Sequence, residues 1–360
     1  MTSKADRPGE AHWSVYVEGD ELYDAIVSAI DAAQFTVRME SYIFADDAVG
    51  RRIAAALAAC ARRGAKVHLR VDYAGSRLEL SDALVGELRG AGVHFEWSRR
   101  WQWSQPWAFH RRNHRKLLII DRTVAFVGGF NVHAASSMRT VGRSRWRDTH
   151  ARFTGPAVTH AIQIFDGEGH VPESLRHRLE SLSLIPEATR RCRRRLRCEI
   201  DRAFRSARQR IWVTTPYFVP DSRLRRRLIA AAKRNVDVRV LTPAKSDVPL
   251  AQWAARALYS SLLRHGVRVY EYQPRVLHAK TALVDNAWAT IGTANLDYRS
   301  LFINAEVNLV TSDATFCDEL AREFLTDLES AHEIKLERWR RRAWWQVMRE
   351  RFAWPLRRWL

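Results

Sequence analysis

The sequence predicts an α/β protein built from two like-folded halves that face each other about a pseudo-twofold axis across one shared cleft. Three observations carry that prediction. Amphipathic helical stretches alternate with short apolar strands, the pattern of layered α/β structures. The order of those stretches occurs twice along the chain. And the segment "NHRKLLIID", starting at Asn113, returns as "LHAKTALVD", ending at Asp285, both reading His-x-Lys-x4-Asp. The flanks keep step without gaps: His114, Asp121, Gly128 and Asn131 are matched by His278, Asp285, Gly292 and Asn295.

In the first half, "DELYDAIVSAIDAAQ" has helical periodicity and "FTVRMESYIF" reads as a strand. The amphipathic "VGRRIAAALAACARRG" leads into "AKVHLRVDY", and "LSDALVGELRGAG" into "VHFEW" and the first motif. In the second half, "EIDRAFRSARQ" precedes "RIWVTTPYFV", and "SRLRRRLIAAAKRN" precedes "VDVRVLTP". "WAARALYSSLLRHG" then leads into "VRVYEY" and the second motif. The expected domains are 1–175 and 176–332, followed by a basic, aromatic C-terminal helix over 333–360.

A hydrophobic share of 46% excludes wholesale disorder. The 59 basic residues against 40 acidic ones leave a formal charge of +19, which implies a polyanionic partner, nucleic acid or the anionic face of a membrane. Few of the basic residues are lysines, yet both motifs carry one, so an ammonium in particular is wanted there. Cys60, Cys192, Cys198 and Cys317 lack ligand-like spacing, which argues against a zinc site or disulfide scaffold and for a reducing compartment. No cofactor or metal ion is expected. The N-terminus has no signal-peptide core, and no run approaches the roughly 18 apolar residues of a spanning helix. The expected location is peripheral, on the cytoplasmic side of the cell membrane.

Side chains alternate along a strand, so His114 and Lys116 share a face, as do His278 and Lys280. Asp121 and Asp285 lie roughly 16 Å beyond the lysines on an extended strand, with opposite parity. "DRT" and "DNA" read as turns, so these aspartates are expected to hold the motif's architecture. Each imidazole then needs another carboxylate. Asp148, in "WRDTHARF", is assigned to His114, and Glu306, in "FINAEVNLV", to His278.

Two histidines with two lysines suit transfer at a phosphodiester. One imidazole attacks phosphorus while the other protonates the leaving alkoxide and later deprotonates the incoming alcohol or water. Lys116 and Lys280, with Asn131 and Asn295, are expected to bind the non-bridging oxygens. Gly128, Gly129 and Gly292 are expected to let backbone approach that site.

The duplicated motif resembles the signature of the phospholipase D superfamily. "LHAKTALVDNAWATIGTANLDYRSLFINAEVNL", "MESYIFADDAVG" and "HRKLLIIDRTVAFVGGFN" are similar to bacterial cardiolipin synthases, and the similarity runs from about residue 12 to 330. The resemblance implies two tandem phospholipase D-like α/β/α domains. It also implies phosphatidyl transfer from one phospholipid, typically phosphatidylglycerol, to the hydroxyl of another, giving cardiolipin and glycerol through a phosphatidyl-histidine. Family precedent makes His114 the nucleophile and His278 the acid/base, and counts Asp121 and Asp285 in the active site. The resemblance is to the shorter B-type form, so the two N-terminal membrane spans of the longest cardiolipin synthases are not expected.

Two stretches interleave aromatic and basic residues. "SRRWQWSQPWAFHRRN" sets Trp101, Trp103, Trp107 and Phe109 beside Arg99, Arg100, Arg111 and Arg112, a composition suited to headgroup depth in a bilayer. In the tail, Leu336, Trp339, Ala343, Val347 and Phe352 recur near helical spacing, with Trp344 and Trp345 among them and Pro355 expected to interrupt the helix. The competing expectation is a helix packed on the domain core. The arginine run 190–197 reads as a solvated linker. A hydrolytic phospholipase D and a superfamily nuclease are the rival activities. The tryptophans favour phospholipid substrates and an anionic membrane surface over nucleic acid.

Overall fold

The structure, a computed structural model, describes residues 12–101, 103–104, 109–167, 182–187 and 195–357. Seven strands form the first sheet: β1 (Trp13–Tyr16), β2 (Thr36–Ser41), β3 (Lys66–Asp72), β4 (His94–Ser98), β5 (Leu117–Ile120), β6 (Val124–Gly128) and β7 (His150–Thr154). Their spatial order is β1-β7-β6-β5-β2-β3-β4. The second sheet contains β8 (Leu182–Glu187), β9 (Arg210–Thr214), β10 (Asp237–Pro243), β11 (Arg268–Tyr272), β12 (Thr281–Val284), β13 (Trp288–Gly292), β14 (Glu306–Thr311) and β15 (Ala331–Glu333). Its order is β15-β11-β10-β9-β12-β13-β14-β8.

β2, β3 and β4 are parallel, because helical crossovers carry the chain back between them, whereas β5, β6 and β7 run antiparallel, β5 and β6 through a tight turn and β6 and β7 through a longer connection over 129–149. β9 to β14 repeat both arrangements, and β8 takes the edge position that β1 holds in the first sheet. Pro186 in β8 is tolerated because that strand pairs on one side alone.

The crossover helices follow from sequence in a simple way. In Ala48–Arg62, Ile53, Leu57 and Cys60 fall on one buried stripe while Arg51, Arg52 and Arg62 face water. Asp47 starts that helix by accepting the N–H groups of Val49 and Gly50, both at 2.9 Å. Together with Gly19–Ala32 and Asp82–Gly90 it covers the outer face of the first sheet over Val37, Met39, Val67 and Leu69. Arg195–Ser206, Ser222–Lys233 and Pro249–Arg264 cover the second sheet in the same manner.

The inner faces share a third core. Leu117, Ile119, Val127 and Phe153 of the first sheet meet Leu283, Ile291, Val307 and Leu309 of the second, together with helices Ala157–Phe165 and Ala314–Glu329. The two halves are thus fused through apolar surface, and the cleft lies along the seam.

The tail departs from a free amphipathic helix. It leaves the second sheet as the edge strand β15, which straddles the expected 332/333 boundary and pairs with β11. It continues as helices Leu336–Arg340 and Trp344–Leu356, the second packed on Pro249–Arg264. Trp339 is turned inward: its ring lies 5.2 Å from that of Tyr259, and its Nε1 donates to Ser260 Oγ at 3.1 Å. Its assignment to a membrane surface is overturned, because the rest of that helical face docks on the domain. Pro355 does not interrupt the helix. It sits one residue before the last, where a missing N–H costs a single hydrogen bond. The opposite face carries exposed Trp344 (77%), Trp345, Met348 and Phe352. At the other aromatic stretch, Trp101 and Trp103 are exposed and Phe109 packs on Trp101, whereas Trp107 lies outside the described residues. Of the run 190–197, residues 190–194 also lie outside them. Arg195 opens a helix, and Arg197 is ion-paired with Asp221.

Candidate active site

The two motifs enter the seam through a matched pair of backbone links. Asn113 bridges in parallel to Ala305, and Leu277 to Arg147. The His114 N–H donates to the Ala305 carbonyl at 2.9 Å, and the Ala305 N–H to the Arg112 carbonyl at 2.8 Å. Across the axis, the His278 N–H donates to Arg147 at 2.7 Å, and the Arg147 N–H to Val276 at 2.8 Å. Each histidine is therefore stitched to the opposite half, beside that half's carboxylate.

The side chains follow the stitching. His114 Nδ1 lies 2.9 Å from Glu306 Oε2, and His278 Nδ1 lies 2.6 Å from Asp148 Oδ2. The expected assignments, Asp148 to His114 and Glu306 to His278, are corrected: both carboxylates hold imidazoles, but each holds the one from the other half. The physical reason is the register of the cross-axis bridges, which local spacing does not contain. With Nδ1 committed to a carboxylate, Nε2 is the nitrogen left for a substrate.

Burial governs the charges here. It lowers the His114 pKa to about 4, assisted by the Lys116 charge and opposed by Glu306, so this imidazole is neutral near pH 7. Burial and Lys280 also lower His278. Burial pushes Asp148 up, but Lys280 and His278 outweigh it and hold the carboxyl below its ordinary value. The buried ammonium groups are lowered to about 7 for Lys116 and about 8 for Lys280.

The lysines sit beneath the imidazoles. Lys116 Nζ donates to the His114 carbonyl at 2.9 Å, and Lys280 Nζ lies 2.8 Å from His278 Nδ1 and 3.8 Å from Asp148. Neither is among the residues lining the cavity, contrary to the expected direct grip on phosphate. Each lysine shares its histidine's side of the chain but sits one step deeper, toward Leu118 and Ile120 for Lys116 and toward Ala282 and Val284 for Lys280, which belong to the outer cores.

The glycines serve packing around the carboxylates. A Cβ on Gly129 would lie 2.0 Å from Asp148 Oδ1. The matching position in the second half holds Thr293, whose hydroxyl donates to Glu306 Oε2 at 2.5 Å. Gly128 and Gly292 admit β7 and β14, each with a backbone carbonyl 2.4 Å from where a Cβ would stand. The room expected for a phosphate is filled by neighbouring strands and Asp148.

His114, His278, Asn131 and Asn295 line one cavity of about 440 Å³. Asn131 is anchored by its Oδ1, which accepts the Ile43 N–H at 3.2 Å. Aromatic rings flank both imidazoles: Tyr42 lies 4.8 Å from His114, Trp146 5.3 Å and Tyr217 6.4 Å from His278, between centroids. Sequence reasoning missed these rings, and also Asp247, Asp297, Asn304 and Arg299, which lack a motif of their own. Burial raises the Asp297 pKa to about 7, and this carboxyl caps helix Tyr298–Phe302 through the Ser300 N–H at 2.7 Å. Arg112, expected at a bilayer surface, is instead buried in the cavity wall with Nε 3.5 Å from Asp72.

Asp121 and Asp285 lie elsewhere. Asp121 accepts the N–H groups of Gln34, Phe35 and Thr36 at 2.7, 2.8 and 2.7 Å, and Asp285 those of Arg208, Gln209 and Arg210 at 3.0, 2.8 and 2.9 Å. Both adopt left-handed φ, 46° and 52°, which aspartate tolerates in turns. Their carboxylates tie the strand end to the entry of β2 or β9. They do not line the cavity, so the active-site position implied by resemblance is not where they sit.

Among the described residues, His68, His94 and Glu96 on β3 and β4 could bring three metal-ligating atoms within 4.8 Å of one another. They are outside the cavity, and Arg70 Nε already donates to Glu96 at 3.0 Å, so a cation would compete with a guanidinium.

The family profile described as cardiolipin synthase, phospholipase D-like domain, matches residues 26–143 and 200–328. Cardiolipin synthase B of Salmonella typhi is 35% identical over 358 residues, covering 93% of this chain and 85% of that protein. Cardiolipin synthase A of Pseudomonas fluorescens is 34% identical over 333 residues, covering 89% and 69%. Among solved structures, the phosphatidylserine synthase of Haemophilus influenzae superposes with a TM-score of 0.71 at 13% identity, covering 90% of this chain and 87% of that one. The polyphosphate kinase of Porphyromonas gingivalis superposes at 0.61 with 18% identity, covering 92% and 50%. At such identities the structural likeness speaks to fold alone.

Proposed function

The chain belongs to the phospholipase D-like cardiolipin synthase family, and on that footing we propose that it transfers a phosphatidyl group between phospholipids to make cardiolipin. The donor is phosphatidylglycerol, and glycerol leaves. His114 Nε2 attacks the donor phosphorus, the bond from phosphorus to the glycerol oxygen breaks, and His278 gives that oxygen a proton. A primary hydroxyl of a second phosphatidylglycerol then attacks the phosphatidyl-histidine. The phosphorus–nitrogen bond breaks, a phosphorus–oxygen bond forms, and His278 takes the hydroxyl proton. Asn131 and Asn295 offer amide donors to the non-bridging oxygens, and the buried lysines stabilise the site's growing negative charge from below.

The observation that carries this reading is the pair of imidazoles on one cavity, each tied through Nδ1 to a carboxylate of the opposite half. Residues 1–175 and 176–332 are assigned as the two catalytic domains, and the described part of the tail, 333–357, docks against the second. No helix among the described residues is long and apolar enough to cross a membrane. Contact with an anionic bilayer on the cytoplasmic side is assigned to Trp101, Trp103, Trp344 and Trp345 with the arginines around them.

Purified protein on phosphatidylglycerol vesicles should release one glycerol per cardiolipin formed, and His114→Ala should abolish both. Peptide mapping of quenched enzyme should find an acid-labile phosphatidyl adduct on a motif histidine. Phosphatidic acid as the sole product, or turnover that survives His114→Ala, would overturn the reading.

A further inference from the structure

We propose that Arg112 and Arg299 form a second anion site in the cavity, which holds the phosphodiester of the acceptor phospholipid. The proposal rests on the phosphatidyl-transfer reading above and names how the acceptor is chosen. What serves the reacting phosphorus is duplicated about the pseudo-twofold axis: two histidines, two lysines, two asparagines and two carboxylates. The arginines are not. In the ungapped register, Val276 stands where Arg112 would recur, and Ala135 where Arg299 would. Symmetric machinery at one phosphorus has no need of an unpaired cationic wall. A second substrate that carries its own charge does.

The side-chain environment supports an anion there. Arg112 is 6% exposed and lines the cavity. Its Nη2 donates to the Arg99 carbonyl at 2.5 Å, and Nε lies 3.5 Å from Asp72, yet neither Nε nor Nη1 has a hydrogen-bond partner among the described residues. Buried guanidinium N–H groups without acceptors are costly, so a ligand oxygen is the natural complement. Arg299 lines the same cavity and donates through Nη2 to the His110 carbonyl at 2.9 Å. Its charge opposes that of Arg112, a repulsion that a phosphodiester between them would relieve.

The two carboxylates in the cavity lining are already engaged: Asp247 accepts the Tyr217 hydroxyl at 2.5 Å, and Asp297 caps its helix. In cardiolipin, a single glycerol separates the two phosphates. An acceptor anchored by its phosphate would therefore present its free hydroxyl to the phosphorus held by His114. Water and simple alcohols cannot use this anchor, so the site favours lipid acceptors over hydrolysis.

Vesicles of phosphatidylglycerol with added ethanol offer both acceptor types in one tube. Arg299→Gln, at a half-buried position, should lower the ratio of cardiolipin to phosphatidylethanol roughly tenfold, the scale of one charge-assisted hydrogen bond. Arg299→Lys should restore much of it. Arg112→Lys, which keeps the charge but loses the fork, should lower the ratio less than Arg299→Gln. An unchanged ratio in Arg299→Gln overturns the proposal, including the case where both products fall together. Wild-type protein that makes neither product overturns the transfer reading instead, and the acceptor site with it.

Discussion

Glu306→Gln tests the cross-axis pairing directly. Glu306 is buried, its Oε2 lies 2.9 Å from His114 Nδ1, and the Thr293 hydroxyl donates to the same oxygen. Glutamine keeps the volume but removes the charge and offers the imidazole an amide that can force the wrong tautomer. Loss of one charge-assisted hydrogen bond, about 1.5–3 kcal/mol, corresponds to a rate loss of roughly 10- to 150-fold. The assay uses a phosphatidyl-p-nitrophenol substrate, whose leaving group needs no general acid, so that the nitrophenol burst reports nucleophilic attack alone. Glu306→Gln should slow that burst by the stated factor, whereas Asp148→Asn should leave it near wild type and slow the following transfer step. Parallel His114→Ala and His278→Ala variants identify the attacking imidazole independently. If the burst is lost on altering the carboxylate from the same half as that imidazole, the geometry argued above is wrong.

Asp121→Ala should lower thermal stability by about 1–2 kcal/mol, because three backbone N–H groups lose their acceptor, while kcat of the folded fraction stays within about twofold. A collapse of kcat at unchanged melting temperature would return Asp121 to the chemistry. Turnover on vesicles should rise as pH climbs through about 4, where His114 sheds its proton, and fall as His278, its pKa held below the ordinary histidine value by burial and Lys280, loses the proton that the leaving glycerol needs. Loss of the Lys116 and then the Lys280 charge from about 7 to 8 should deepen the decline, because attack requires a neutral His114, the leaving group a protonated His278, and the charge beneath the site protonated lysines. A profile still rising beyond about pH 9 would contradict the second half. Replacing Trp344 and Trp345 together by alanine should weaken sedimentation with anionic vesicles about tenfold or more without moving the melting temperature. Trp339→Ala should do the reverse, costing about 3 kcal/mol of stability.

The layered fold was legible because each half advertises it locally. The buried stripe of Ile53, Leu57 and Cys60 and the apolar alternation of the strands are patterns of nearest neighbours. The architectural placement of Asp121 and Asp285 was legible for the same reason, since parity and distance along one strand decide it. Which imidazole meets which carboxylate is a different kind of fact. It depends on bridges between residues 192 and 130 positions apart, and no count within a half contains it. The lysines show the limit of parity itself. That each shares a face with its histidine is a property of the strand, but which way that face looks is set by the helices packed over it. Trp339 and Arg112 fail similarly. A basic aromatic stretch announces an interface, while rotation about the local axis decides which of its rings and guanidinium groups turn inward.

The stitching of each motif to the far half has a consequence for biosynthesis. A ribosome delivers the N-terminal portion first, so a nascent chain holds His114 long before Ala305 and Glu306 exist. Until those residues arrive and the seam closes, that imidazole lacks its carboxylate partner and half of its enclosing wall. Completion of the site is thereby deferred to one late act of closure, and an unfinished copy carries His114 without the partner and wall that would aim it.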